Sequence, residues 1–269
     1  MNAPLSTKRV VVGIDGSMEA RRAAQWAALE AASQDAVLRL VYVVEPVSDR
    51  QEDIEEARRA LHKAWNAVAD TDIDVKVESE VVSGRPADCL IEESRHAAMV
   101  CVGYRGTHDS PDGPRGATAI EVARKAVGTV AIIHRPHAKG AIDRRKWIVV
   151  VLDESASATE ALKATQNEAT WRHAPILVLE SWSHSNAAGH PRHPIHSAVA
   201  RLLRSAGQGG IQVVMLPKPG RLANLLQQSA CIDQLFVAPG DHAALVDELT
   251  NDQTGRTLRG SDCSLLIIR

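Results

Sequence analysis

The sequence predicts an α/β chain made of two doubly wound parallel-sheet domains in tandem. Three observations predict it. Short apolar runs rich in Val and Ile alternate with longer stretches whose apolar residues recur at helical spacing, and strands alternating with helices argue parallel pairing through crossover helices. The whole pattern is then written a second time at a nearly constant offset, the mark of a tandem repeat. Within the first copy, a polar loop from Gly103 to Gly116 joins a strand pattern to a helix pattern. Glycines before a helix N-terminus let backbone N–H groups approach an anion closely.

Taken in order, the first strand is Arg9–Asp15, closed by Gly16 and Ser17. A helix follows over Met18–Ala32, rich in Ala, with Trp26 and Leu29 available for packing. Ala36–Val44 is a second strand, ended by Glu45-Pro46. Glu52–Ala69 places Ile54, Ala57, Leu61, Ala64, Trp65 and Val68 at helical spacing. Ile73–Val82 alternates apolar and polar and reads as a third strand. Pro86, after Gly84-Arg85, suits the first turn of the next helix. The run Ala97–Val102 is short and apolar, as a buried strand is. Ala117–Val127 carries Ala119, Ile120, Ala123 and Val127 on one side of a helix, and Val130–His134 is the fifth strand.

The pattern then restarts. Lys146–Asp153 repeats Arg9–Asp15, with Asp153 standing 138 positions after Asp15. Ile176–Trp182 repeats the second strand, Gly220-Arg221 echoes Gly84-Arg85 at an offset of 136, and Gly240 echoes Gly103 at 137. Ser264–Ile268 repeats the last strand. The domains are expected at 1–137 and 146–269, joined by a linker, 138–145, whose Lys139, Arg144 and Arg145 read as a solvated connector.

Hydrophobic residues make up 45% of the chain and aromatics 3%, so the cores must be built from Val, Ile, Leu and Ala. A net charge of −2 gives no reason to expect nucleic acid or an anionic membrane as partner. No apolar run reaches the ~18 residues of a membrane-crossing helix, and Met1–Arg9 lacks the apolar core of a signal peptide. Cys89, Cys101, Cys231 and Cys263 lack metal-ligand spacing and read as reduced, packed thiols, which points to the cytoplasm.

The glycine loop reads Gly103, two residues, Gly106, nine residues, Gly116-Ala117-Thr118. It is not a Walker loop, because no Gly-Lys-Ser/Thr follows, and its spacing is not that of the dinucleotide fingerprint. Asp15, at the end of a strand, has the placement of a phosphoryl acceptor. Phosphatases of the haloacid class need a second Asp two residues on, however, and Ser17 stands there. Asp15 also has the placement of a helix cap, a role open to Ser17 as well. No Ser-His-Asp or Cys-His arrangement is visible, so no catalytic residue is assigned and the chain is not expected to be an enzyme. His184, His190, His193 and His196 crowd together near Pro191 and Pro194. Their spacing would suit a transition metal, but no carboxylate or cysteine clusters with them in sequence, and the stretch reads as a polar connector with no metal site.

On the glycine loop, Asp15 and the duplicated strand pattern, the chain resembles the universal stress protein family over nearly its whole length, as two such domains in series. The resemblance implies strand order 3-2-1-4-5 in each domain and ATP outside the carboxyl ends of strands 1 and 4. By that likeness Gly13 and Ile14 line the nucleotide and Asp15 accepts hydrogen bonds from ribose or adenine. Val43, placed just past the second strand, reads the adenine edge through its backbone. Gly84 permits close approach, Gly103 and Gly106 begin the phosphate loop, and Gly116, Ala117 and Thr118 open the helix that faces the phosphates. It further implies pairing of the two last strands into an intrachain pseudo-dimer, with a homodimer as the alternative, an unidentified protein partner, and a regulatory role in stress, hypoxia or dormancy.

The sequence departs from the family pattern in both halves. Ala117 stands where the family has a Ser/Thr whose hydroxyl meets phosphate; losing one such contact to a charged group costs ~1.5–3 kcal/mol, roughly ten- to a hundredfold in affinity. The loop carries Asp109 and Asp112 against Arg105 and Arg115, and two carboxylates near a triphosphate are unfavourable unless a cation such as Mg²⁺ bridges them. In the second half no glycine follows Asp153, and Asp241-His242 follows Gly240, with Gly255 and Gly260 failing to restore the spacing. That half reads as a degenerate copy that keeps the fold and has lost the ligand. Three readings of function therefore stand: an ATP-binding stress-response regulator, with AMP or a cyclic nucleotide as variants of the ligand; a nucleotide-free interaction module; and a slow ATPase or phosphotransfer enzyme using Asp15.

Overall fold

The computed structural model describes residues 8–45, 51–104, 116–134, 147–180, 194–209, 212–217, 234–241 and 263–269. The chain divides into two units, Met1–Arg135 and Pro136–Arg269.

The first unit runs β1 (Arg9–Ile14), α1 (Met18–Ser33), β2 (Val37–Val44), α2 (Gln51–Ala69), β3 (Val77–Ser83), α3 (Pro86–Glu93), β4 (Met99–Gly103), α4 (Ala117–Lys125) and β5 (Thr129–Ile133). Its strands lie in the order β3-β2-β1-β4-β5, all neighbours parallel. This is the expected 3-2-1-4-5 order. Val10, Val11 and Val12 of β1 and Val100 and Cys101 of β4 are fully buried, because a parallel sheet covered by helices on both faces leaves no face for polar residues. β3 forms the edge beside β2. It carries charge instead, with Glu80 paired to Arg39 at 2.5 Å and Glu78 to Lys76 at 2.7 Å, which discourages further strand pairing there. β3 starts at Val77 rather than Ile73: the chain turns at Asp72 (φ 54°), and ladder pairing begins only at Leu38 with Val77.

The helices differ from expectation in which residues they bury. In α1 the buried residues are Ala20, Ala23, Ala24, Ala27, Ala28 and Ala31. This stripe at three- and four-residue spacing lets the helix lie close on the sheet. Leu29 falls between the stripe positions and is exposed, and Trp26 is half-buried. In α2 Ala57, Ala60, Leu61, Ala64 and Val68 are buried while Trp65 is exposed. The two helices are tied where Gln25 Nε2 donates to the Ala67 carbonyl at 3.0 Å. α4 buries Ala119, Val122 and Ala123, and it ends before Ala126, whose extended backbone leaves Val127 outside the helix and exposed.

The second unit runs β6 (Trp147–Leu152), α5 (Ala158–Arg172), β7 (Ile176–Glu180), α6 (Pro194–Gly209), β8 (Val213–Pro217), β9 (Gln234–Pro239) and β10 (Cys263–Ile268). Its parallel strands lie in the order β8-β7-β6-β9-β10, which is again 3-2-1-4-5 counted from its own first strand. His184, His190 and His193 lie outside the described residues. Among the described residues no helix is long and apolar enough to cross a membrane.

Candidate functional site

β1 is flanked by β2 on one side and β4 on the other, so the connections out of β1 and out of β4 run in opposite directions. In open α/β sheets a crevice forms at that switch point, outside the carboxyl ends of the strands. Here it is a cleft of about 450 Å³, within the size range of small-molecule sites.

At the end of β1, Asp15 Oδ1 accepts a hydrogen bond from the Ser17 amide at 2.9 Å. Ser17 Oγ in turn accepts from the Ala20 amide at 3.0 Å, which caps α1. The end of β4 lies hard against this turn. A Cβ built on Gly103 would come within 2.8 Å of the Glu19 carbonyl carbon and 2.9 Å of the Ala20 nitrogen. Backbone cannot yield as a side-chain tip can, so only glycine fits. α4 opens differently from α1. Its cap is Gly116, in the left-handed region at φ 74° and with no side chain to cap the first turn. A Cβ there would sit 2.7 Å from the Tyr104 carbonyl oxygen. The N-terminus of α4, with its positive dipole end, therefore faces the cleft through Gly116, Ala117 and Thr118.

The opposite wall comes from β2 and α3: Val41, Tyr42, Val43 and Glu45 on one, Arg85, Pro86, Ala87 and Leu90 on the other. Burial, and then the carboxylates of Glu56, Asp15 and Asp53, push the Tyr42 phenol up from its ordinary pKa, so it stays a donor. Arg85 spans from α3 to α4. Its Nη1 lies 3.1 Å from Glu121 Oε1, its Nη2 pairs with Glu121 Oε2, and Asp88 accepts from Nη1 at 3.0 Å. Lys125 Nζ reaches Glu121 at 2.7 Å. Hydrogen bonds from Arg85 and then Lys125 hold the Glu121 carboxyl at a pKa of about 2. Among the described residues, no group of three or more His, Cys, Asp and Glu side chains is arranged to hold a metal ion.

Eight of the residues singled out in the sequence meet at this cleft: Gly13, Ile14, Asp15, Val43, Gly103, Gly116, Ala117 and Thr118. Val43 lies inside β2, as the strand read over Ala36–Val44 has it, and not past its end. Gly84 does not reach the lining; its amide bonds the Val44 carbonyl at 2.9 Å and shapes the exit of β3. Gly106, Arg105, Asp109, Asp112 and Arg115 lie outside the described residues. Sequence reasoning missed Tyr42, Arg85, Leu90, Tyr104 and Glu121. Tyr104 was legible as part of the loop; it is buried, and its ring lies 5.0 Å from that of His134. Arg85 and Glu121 carried no local signal, because they meet only through the packing of two helices.

The second unit repeats the turn and alters the rest. Asp153 Oδ1 accepts from the Ser155 amide at 3.0 Å, as Asp15 does from Ser17. Asp241, just past β9, accepts from the Ser157 amide at 3.1 Å and from the Ser157 hydroxyl. Burial raises the Asp241 carboxyl, but hydrogen bonds from Ser157, from its own amide and from Ser155 together hold the group below the usual carboxylate range. A side-chain carboxylate of the unit itself thus lies at the start of α5.

The fold and the cleft define a doubly wound α/β protein with a cleft at its switch point. A family model described as the universal stress protein family matches residues 6–134. Universal stress protein Rv2028c of Mycobacterium tuberculosis is 32% identical over 291 aligned positions, covering 100% of this chain and 98% of that protein. Universal stress protein Rv3134c of the same organism is 45% identical over 154 positions, 56% of this chain and 57% of that one. Among solved structures, a universal stress protein from Archaeoglobus fulgidus superposes with a TM-score of 0.67 over 97% of this chain and 96% of its own, at 14% identity, a likeness of fold. The chain belongs to the universal stress protein family.

Proposed function

We propose that the first unit binds an adenine nucleotide, ATP with Mg²⁺, at the β1–β4 switch point, and that the chain is a ligand-dependent regulator of a stress response rather than an enzyme. The observation that carries this reading is the glycine-capped N-terminus of α4 facing the same 450 Å³ cleft as Asp15. The residues present fit the group. Gly116 offers backbone where a Cβ would crowd Tyr104, and helix amides and dipole favour phosphate. Val41, Val102 and Leu90 supply an apolar wall for a flat base, and Asp15 an acceptor for ribose hydroxyls. Mg²⁺ enters on the phosphates, since it is commonly held by one or two carboxylates plus phosphate oxygens. The Asp15 carboxylate is engaged by the Ser17 amide, which favours a positioning role over that of a phosphoryl acceptor. A bound nucleotide acts on a protein partner only as far as it binds one conformation better than another. The free thiol of Cys89 suits a reducing compartment, and we place the protein in the cytoplasm.

The nucleotide-free reading draws on two observations. Ala117 removes a hydroxyl from the site, and the Asp15–Ser17 bond recurs at Asp153–Ser155 as a device of the fold itself. Thermal unfolding with and without MgATP separates the two. A site held at 100 times its Kd adds ~2.7 kcal/mol, a rise of several degrees; no shift at saturating nucleotide would leave the interaction module standing.

A further inference from the structure

Among the described residues that line the cleft, three are carboxylates, Asp15, Glu45 and Glu121, and one is a cation, Arg85. A site meant for phosphate is therefore acidic along this part of its wall, and its guanidinium is committed to Glu121. That commitment is open to exchange from its solvent side: Arg85 is more than half exposed, while Glu121 is 19% exposed. Each partner also keeps a second contact when the pair opens: Arg85 holds Asp88 at 3.0 Å and Glu121 holds Lys125 at 2.7 Å. The guanidinium stands at the start of α3 and the pair closes onto α4, the helix whose start is capped by Gly116 with no side-chain hydrogen bond. A planar fork of N–H donors meets phosphate oxygens in the same bidentate geometry as a carboxylate.

We propose that Arg85 is a side chain that recognises phosphate in this site, and that the Arg85–Glu121 pair is a clasp which opens when Arg85 transfers to the ligand. The inference rests on the nucleotide-binding reading above and deepens it: the clasp makes the first unit select nucleotides by their phosphates rather than by the base alone. Glu121, freed of Arg85, is retained by Lys125 and leaves no stranded charge.

The test is calorimetric titration of the full chain with adenosine, AMP and MgATP, for the native protein, Arg85→Ala and Glu121→Gln. The clasp predicts that Arg85→Ala weakens MgATP at least tenfold while adenosine stays within about twofold, and that Glu121→Gln tightens MgATP severalfold by releasing the guanidinium. Equal losses for adenosine and MgATP in Arg85→Ala, or no loss for either, overturn the clasp while leaving nucleotide binding intact. Failure of the native protein to bind any of the three overturns the nucleotide reading and the clasp with it. Far-UV circular dichroism checks that Arg85→Ala is folded; should it not be, Glu121→Gln decides alone, since a purely structural pair predicts no gain in MgATP affinity.

Discussion

Ala117 begins α4 and lines the cleft, and by the sequence resemblance a Ser/Thr hydroxyl belongs at this position. Restoring that hydroxyl adds a hydrogen bond to a charged group without disturbing the helix start. Ala117→Ser is expected to tighten MgATP by roughly ten- to a hundredfold, measured by titration. Two glycines of the cleft make an opposite pair. Gly103→Ala drives a Cβ into the backbone of Glu19 and Ala20, whereas Gly13→Ala meets the movable tip of Leu90 at 2.9 Å. Overpacking against backbone costs typically 1–3 kcal/mol. Gly103→Ala should therefore lower the urea midpoint clearly, and Gly13→Ala should lower it less.

Among the elements, α3 and α4 are joined by Arg85, Glu121 and Lys125, and acid reports on that junction. The Glu121 pKa is depressed from 4.5 to about 2 by the fold. Its contribution to stability is accordingly present in full above 4.5 and is lost as pH falls through about 2. Comparing Glu121→Gln with the native chain should show a stability difference at neutral pH that shrinks across that acid window; a pH-independent difference would contradict the assignment. The same elements show what was legible in the sequence. The strands were, since doubly covered parallel strands read as unbroken apolar runs such as Arg9–Ile14 and Met99–Gly103. So were the glycines, whose spacing brackets a strand and a helix. Helix faces were read less well: large residues drew the eye to Trp26, Leu29 and Trp65, while alanines do the packing in α1. The wall built from α3 was not legible, because residues far apart in sequence meet there only when β3 and β4 take their places on opposite sides of β1.

At the scale of the whole molecule, one strand order is used twice, while the proposed nucleotide site belongs to the first unit alone. The turn bonds of Asp15 and Asp153 match, but in the second unit Asp241 engages the start of α5 through Ser157. A carboxylate there repels phosphate, so each chain should take up a single nucleotide. Native mass spectrometry of the full chain with MgATP, beside Ala117→Glu, tests this most directly. The substituted Glu suits the first turn of a helix yet opposes a phosphate in the cleft. The account predicts one ATP per native chain and none on folded Ala117→Glu. An ATP-free native chain, two nucleotides per chain, or one retained by Ala117→Glu would contradict it.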